Sequence, residues 1–225
     1  IRGGYRGGVP TLQDFHAELL RQPEAEARDV ALAIELFTEG SLNTFAKPTN
    51  VDTNSRILCY DIRDLGKQLL PVGMLVVLDS VFNRIIRNRR LGRSTWVYID
   101  EIYLLFQHEY SANFLFTLWK RVRKYGACCT GLTQNVDDLL QSHTARTMLA
   151  NSEFLVMLNQ ASTDRAELAH LLNISDNQLS YITNVDFGRG LIKCGSAIVP
   201  FMDHFPKNNL YRLMSTKLSE TDAAA

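Results

Sequence analysis

The sequence predicts an α/β fold: a mostly parallel sheet flanked by helices, preceded by a helical subdomain and closed by a β-hairpin. Three observations carry this reading. From Arg56 onward short apolar runs alternate with helical segments, the runs are continuous rather than alternating, and a Gly-Ser pair separates the last two. Strand, helix, strand, helix is the pattern of right-handed crossovers between parallel strands. A continuous apolar run is what a strand buried on both faces requires.

In chain order, residues 1–8 (IRGGYRGG) are rich in Gly and Arg and read as a linker, with RNA contact as the lesser reading of so short a segment. Thr11 then opens TLQDFHAELLRQ, with Asp14 three residues on as its capping partner and Leu12, Phe15, Leu19 and Leu20 at helical spacing. A second amphipathic helix is expected over Ala25 to Phe37, ending at Gly40. Residues 1–54 are assigned to the helical subdomain, 55–210 to the α/β core and 211–225 to a tail. The core strands are expected at ILCYDI (57–62), WVYIDEI (96–102), CCTGLTQ (128–134) and EFLVMLN (153–159). Helices are expected at 71–89, 112–124, 137–149 and 164–172. GLIKCG followed by SAIVPFMD predicts the closing antiparallel hairpin.

Composition narrows the class of protein without naming a function. A chain of 225 residues, 46% hydrophobic and 21% charged, is an ordinary globular sequence. Lys and Arg balance Asp and Glu at 24 each, so nothing global argues for nucleic acid and a local patch must carry any such claim. Cys59, Cys128, Cys129 and Cys194 show no CxxC spacing, which speaks against structural zinc and a disulfide framework and for a reducing cytoplasm. No run approaches the roughly 18 consecutive apolar residues of a membrane span, since the stretch from Gly73 to Leu78 stops at Asp79, so no transmembrane segment is expected. The first residue is Ile1 rather than Met and no signal peptide is evident, so the sequence is expected to be part of a longer polypeptide.

Ligands of open α/β sheets gather at the carboxyl ends of the strands, so the residues that end each run are the candidates for chemistry. One run ends at Asp100-Glu101 and another at Gln134-Asn135. A buried strand delivering two adjacent carboxylates has the pattern of a Walker B strand. Asp100 is suited to hold Mg²⁺, Glu101 to orient and polarise an attacking water, and Gln134 to contact a γ-phosphate and that water. The companion phosphate loop, GxxxxGK[ST], does not occur in these residues; Gly66-Lys67 is followed by Gln68 and has no glycine five positions before it. Ahead of the glutamine run lies WKRVRKYG (119–126), where the cations either complement a helix end or present an arginine finger to a neighbouring subunit, with Arg121 and Arg123 both eligible. Arg84, Arg87, Arg89, Arg90 and Arg93 form another basic stretch, read as a solvated helix end with a DNA or subunit contact as the lesser alternative. Asp137 and Asp138 are read as helix caps, Tyr98 and Tyr103 as core, and the five histidines as surface or packing residues.

VYIDEIYLLF, RKYG before TGLTQNVDDLL, and LSYITNVDFGRGLIKCGSAIVPF together resemble the C-terminal ATPase region of TraE/TraC-type conjugation ATPases of type IV secretion systems, in the HerA/FtsK branch of RecA-like motors. The resemblance spans about Thr11 to Phe205 and implies a RecA-like core whose phosphate loop lies upstream, beyond a helical insertion that Thr11 to Asn54 would end. It implies ATP and Mg²⁺ as cofactors, Asp100 and Glu101 as the Walker B pair, Gln134 as nucleotide sensor and Arg123 as the trans-acting finger. Lys124, the second residue of RKYG, is placed with Asp100 among the nucleotide-binding residues. The function implied is an ATPase powering conjugative transfer or pilus assembly, the isolated piece being inactive. A DNA-translocating pump is the alternative, and a non-catalytic interaction module a further one. The expected partners are inner-membrane secretion subunits and further copies in a ring, with DNA possible and the location the cytoplasmic face of the membrane.

Overall fold

A computed structural model describes residues 9–134, 136–160 and 162–214. Residues 1–8, Asn135 and residues 215–225, the last comprising most of the expected tail, lie outside the described residues. The chain divides into two compact units, Ile1–Val81 and Phe82–Ala225.

In the first unit, helix α1 (Leu12–Arg21) begins as its sequence predicts. The Thr11 side chain accepts from the Asp14 backbone N–H, and the Asp14 carboxylate accepts in return from the Thr11 backbone N–H at 2.7 Å, a complete capping box. Helix α2 (Ala25–Thr38) ends where Gly40 N–H donates back to Glu35 O at 3.0 Å. Gln13 donates to Thr38 O at 3.2 Å, joining the two helices. The ILCYDI run, expected as a strand, is irregular: Ile57 is 85% exposed and, among the described residues, no strand lies alongside it to accept its backbone bonds. Instead Tyr60 Oη and Ser80 Oγ are 2.8 Å apart, so the segment lies along helix α3 (Gly66–Arg90).

That helix starts one turn earlier than the sequence suggests, placing Pro71 inside it. By length and mean hydropathy, 1.7 over its best window, it is also apolar enough to cross a membrane, although that window is only 22% buried. The sequence expectation of no transmembrane segment rested on a narrower criterion than length and mean hydropathy. It required an unbroken apolar run, whereas Asp79 interrupts a helix whose average is still strongly apolar.

In the second unit, β1 (Thr95–Ile99) and β2 (Ala127–Gly131) pair in parallel, in register from Thr95 with Ala127 to Ile99 with Gly131. Helix α4 (Glu109–Arg121) and a 3-10 turn (Val122–Tyr125) connect them, giving the expected β-α-β unit. The second sheet departs from expectation. β3 (Phe154–Met157) is antiparallel to β4 (Arg189–Cys194), which forms the predicted hairpin with β5 (Ala197–Met202) around Gly195 at φ 56°. The parallel part of the described fold is therefore two strands, and EFLVMLN belongs to a three-stranded antiparallel sheet.

The helix expected over 137–149 is two, α5 (Val136–Gln141) and α6 (His143–Ala150), because Ser142 caps α6 by accepting from Ala145 N–H. Helices α7 (Ser162–Leu172), α8 (Asp176–Leu179) and α9 (Asn209–Met214) complete the chain. Leu140, Ile182 and Leu191, each at most 1% exposed, centre a core joined by Met157, Leu168 and Leu172.

β1 is not buried on both faces. Thr95, Val97 and Ile99 are half-buried, whereas Trp96 and Tyr98 are 64% and 67% exposed, so Tyr98 is a surface residue and not the core residue expected; Tyr103 is half-buried.

Candidate functional site

β1 ends at Ile99, and the chain leaves it through two polar residues of different geometry. Asp100 is exposed, and its Oδ1 accepts from the Glu101 N–H at 3.1 Å. Glu101 takes φ 46°, ψ 48°, the left-handed region that a non-glycine residue enters at a cost of about 1–3 kcal/mol. Two backbone bonds hold the turn in place. Leu132 N–H donates to Ile99 O at 2.8 Å, and Ile102 N–H donates to Leu132 O at 2.9 Å, so the segment after β2 clamps both sides of the carboxylate pair.

The same segment delivers Gln134, whose Nε2 donates to Glu101 Oε1 at 3.1 Å. Two residues 33 positions apart thus meet at the carboxyl ends of adjacent parallel strands. The other oxygen, Glu101 Oε2, is buried and without a hydrogen-bond partner among the described residues. A buried carboxylate oxygen left unpaired costs free energy, and in a functional site it is the place where a water, a cation or a substrate group belongs.

No cluster of three His, Cys, Asp or Glu that could hold a metal ion occurs among the described residues. A cation held here by Asp100 would draw its remaining ligands from water and from a nucleotide's phosphates, which is how Mg²⁺ is ordinarily bound. The exposed Asp100 carboxylate and the orphaned Glu101 oxygen fit that arrangement.

The structure separates the basic candidates from this site. Arg123 and Lys124 lie in the 3-10 turn before β2, and Gly126, at φ 63°, reverses the chain into the strand. Since β1 and β2 are parallel and in register, these cations stand at the amino ends of the strands, and the carboxylates at the carboxyl ends. Five residues of strand separate the two ends by about 16 Å. Asp100, Glu101 and Gln134 come together; Arg121, Arg123 and Lys124 do not join them within one chain.

Sequence reading did not place Arg89 in this neighbourhood. Asn88 Nδ2 donates to Thr95 Oγ1 at 2.9 Å, tying the end of α3 to the start of β1, and Phe82 packs edge-on against Tyr125 with ring centres 5.7 Å apart. A Cβ at Gly126 would stand 3.6 Å from Arg89 Nη1, so the guanidinium lies over the glycine of RKYG. A basic helix end and a glycine 37 positions later carry no joint signal in one sequence.

A parallel β-α-β unit with acidic and amide groups converging at its strand ends is the architecture of nucleotide-dependent α/β proteins. The solved structure of VirB4 from Thermoanaerobacter pseudethanolicus shares the fold, with a TM-score of 0.75 and 23% sequence identity over 93% of this chain. This chain spans 59% of that protein's length. Residues 46–189 match the family described as the TraG P-loop domain, and the chain belongs to that family. No curated protein sequence matches it. The matched residues contain the carboxylate pair, Gln134 and the RKYG turn, but no GxxxxGK[ST] motif.

Proposed function

We propose that this chain is the catalytic-strand portion of an ATP-hydrolysing motor of a type IV secretion or conjugative transfer apparatus, in which a phosphate loop elsewhere in the full-length protein completes the nucleotide site. The observation that carries the reading is the Gln134–Glu101 hydrogen bond beside an unpartnered, buried Glu101 Oε2 at the carboxyl ends of two parallel strands. Membership of a P-loop family supports it.

The chemistry follows from the two oxygens of one carboxylate. Gln134 fixes Oε1 and leaves Oε2 to accept a proton from a water placed against the γ-phosphorus. The water oxygen forms the new bond to phosphorus as the bond to the β–γ bridging oxygen breaks, and ADP departs with the electron pair. Glu101 takes the water's proton. Asp100 would hold Mg²⁺, which when bound neutralises charge on the phosphates. Gln134 touches both the general base and the space where a γ-phosphate would stand, and so links hydrolysis to the position of the segment after β2.

Arg123, about a strand length from this carboxylate pair, is assigned to the nucleotide of a neighbouring copy, and Lys124 is assigned with it. This reading implies assembly into a ring, action at the cytoplasmic face of the membrane beside other secretion subunits, and transfer of protein or DNA as the work performed.

The direct test is Glu101→Gln in the full-length protein. ATP binding should remain while hydrolysis falls by about 10²-fold or more, the usual worth of a positioned general base. Normal turnover in that variant would remove Glu101 from the reaction and the motor reading with it.

A further inference from the structure

Charge is segregated along β1 and β2 in a way the composition conceals. Residues 80–99 and 110–136 contain no Asp or Glu, yet they carry Arg84, Arg87, Arg89, Arg90, Arg93, Lys120, Arg121, Arg123 and Lys124. Residues 94–119 and 125–145 contain no Lys or Arg, and they carry Asp100, Glu101, Glu109, Asp137 and Asp138. The parallel register puts the end of α3 and the RKYG turn at the amino ends of the strands, and the carboxylates with the start of α5 at the carboxyl ends. One end of the β-α-β unit is basic and the other acidic.

Cations crowded together repel one another and lower stability unless an anion faces them. Arg89 and Arg123 are both exposed, and the side chain of neither makes a hydrogen bond or ion pair among the described residues. Arg89 Nη1 rests against Gly126, and Gly126 N–H donates to Arg123 O at 3.1 Å, so the two arginines share one short turn. A nucleic acid laid on this end would leave the acidic end uncompensated in a chain of zero net charge. A second copy of the chain, placed head to tail, neutralises both ends at once, and such a heterologous contact propagates into a ring when its rotation closes.

We propose that Arg89 is a second trans-acting cation, paired with Arg123 on one copy and directed at the phosphates held above the carboxylate edge of the next. This rests on the motor reading and adds a residue to it. The two guanidiniums would offer planar forks to adjacent phosphate oxygens, a geometry a single arginine cannot supply. Gly126 shapes this turn through its φ of 63°, which reverses the chain beneath the Arg89 guanidinium.

Mixed-subunit turnover of ATP by the full-length protein tests this, because a trans residue is complemented by a partner and a cis residue is not. Arg89→Ala should lower kcat about tenfold or more, Glu101→Gln should abolish turnover, and a mixture of the two should hydrolyse faster than Arg89→Ala alone. In the mixture some sites combine an intact Glu101 with an intact Arg89 from the neighbour. Arg123→Ala mixed with Glu101→Gln should recover in the same way, and Arg89→Lys, which keeps the charge and the fold but loses the fork, should fall between Arg89→Ala and the parent. Wild-type turnover by Arg89→Ala, a mixture no faster than Arg89→Ala alone, or a loss seen only in nucleic-acid-stimulated turnover would each overturn the proposal. Failure of Glu101→Gln to affect hydrolysis is a different result, because it removes the motor reading itself.

Discussion

Glu101 is where local backbone geometry and chemistry meet. Its left-handed conformation is unfavourable in isolation and persists because two backbone bonds from Leu132 bracket it and Gln134 holds its side chain. Residue types at a strand end made Asp100, Glu101 and Gln134 legible in the sequence; the turn that buries one carboxylate oxygen was not, because it depends on the distant segment that carries Leu132 and Gln134. Cys129 shows the same limit in a plainer form. It sits beside the exposed Cys128, yet burial, with the neighbouring Cys128 adding to it, pushes its thiol up to about 12. At pH 8, iodoacetamide should label Cys59, Cys128 and Cys194 in the native chain and spare Cys129, which should react only after unfolding; mass mapping of native and denatured samples checks this. The sign also fixes a stability trend. The folded state favours the protonated thiol, so this contribution is present below the ordinary thiol value of 9.0 and is lost as pH rises from there toward about 12.

At the scale of elements, a tight backbone constraint lies in the antiparallel sheet. Gly190, near the start of β4, lets the backbone of β3 approach so closely that a Cβ there would lie 2.2 Å from Met157 O. A backbone oxygen paired into a sheet cannot give way as a side-chain end can. Gly190→Ala should therefore destabilise the protein by about 1–3 kcal/mol, the usual cost of overpacking, read as a lower urea midpoint at unchanged slope. Gly195→Ala, where a Cβ meets nothing within 4 Å, should cost less, leaving only the strain of its φ of 56°. The hairpin turn and the Thr11–Asp14 cap were legible because each is written within a few residues. The direction of β3 was not, since a buried apolar run reads alike in either orientation and only its partner decides.

For the molecule as a whole, a net charge of zero conceals two opposed ends. If copies associate through them, the association is electrostatic and must answer to salt. Self-association of the full-length protein should weaken as sodium chloride is raised from about 0.1 M to about 1 M, over which the Debye length falls from roughly 10 Å to 3 Å. Sedimentation velocity at a series of salt concentrations measures this. Association that holds or strengthens across that range would point to apolar contacts, for which the exposed Trp96 and Tyr98 face is the available surface.

The sequence alone determined the α/β class, the family and the position of the carboxylate pair at a strand end, because strand ends, capping boxes and short motifs are local patterns written in adjacent residues. It also placed the β-α-β unit and the closing hairpin. Only the tertiary structure decided that Ile57–Ile62 forms no strand, that β3 runs against β4, that Gln134 grips Glu101 while Arg123 stands at the other end of the strands, and that Arg89 lies over Gly126. Each of these depends on which distant segment supplies a hydrogen-bond partner or covers a face, and neighbouring residues carry no record of that choice.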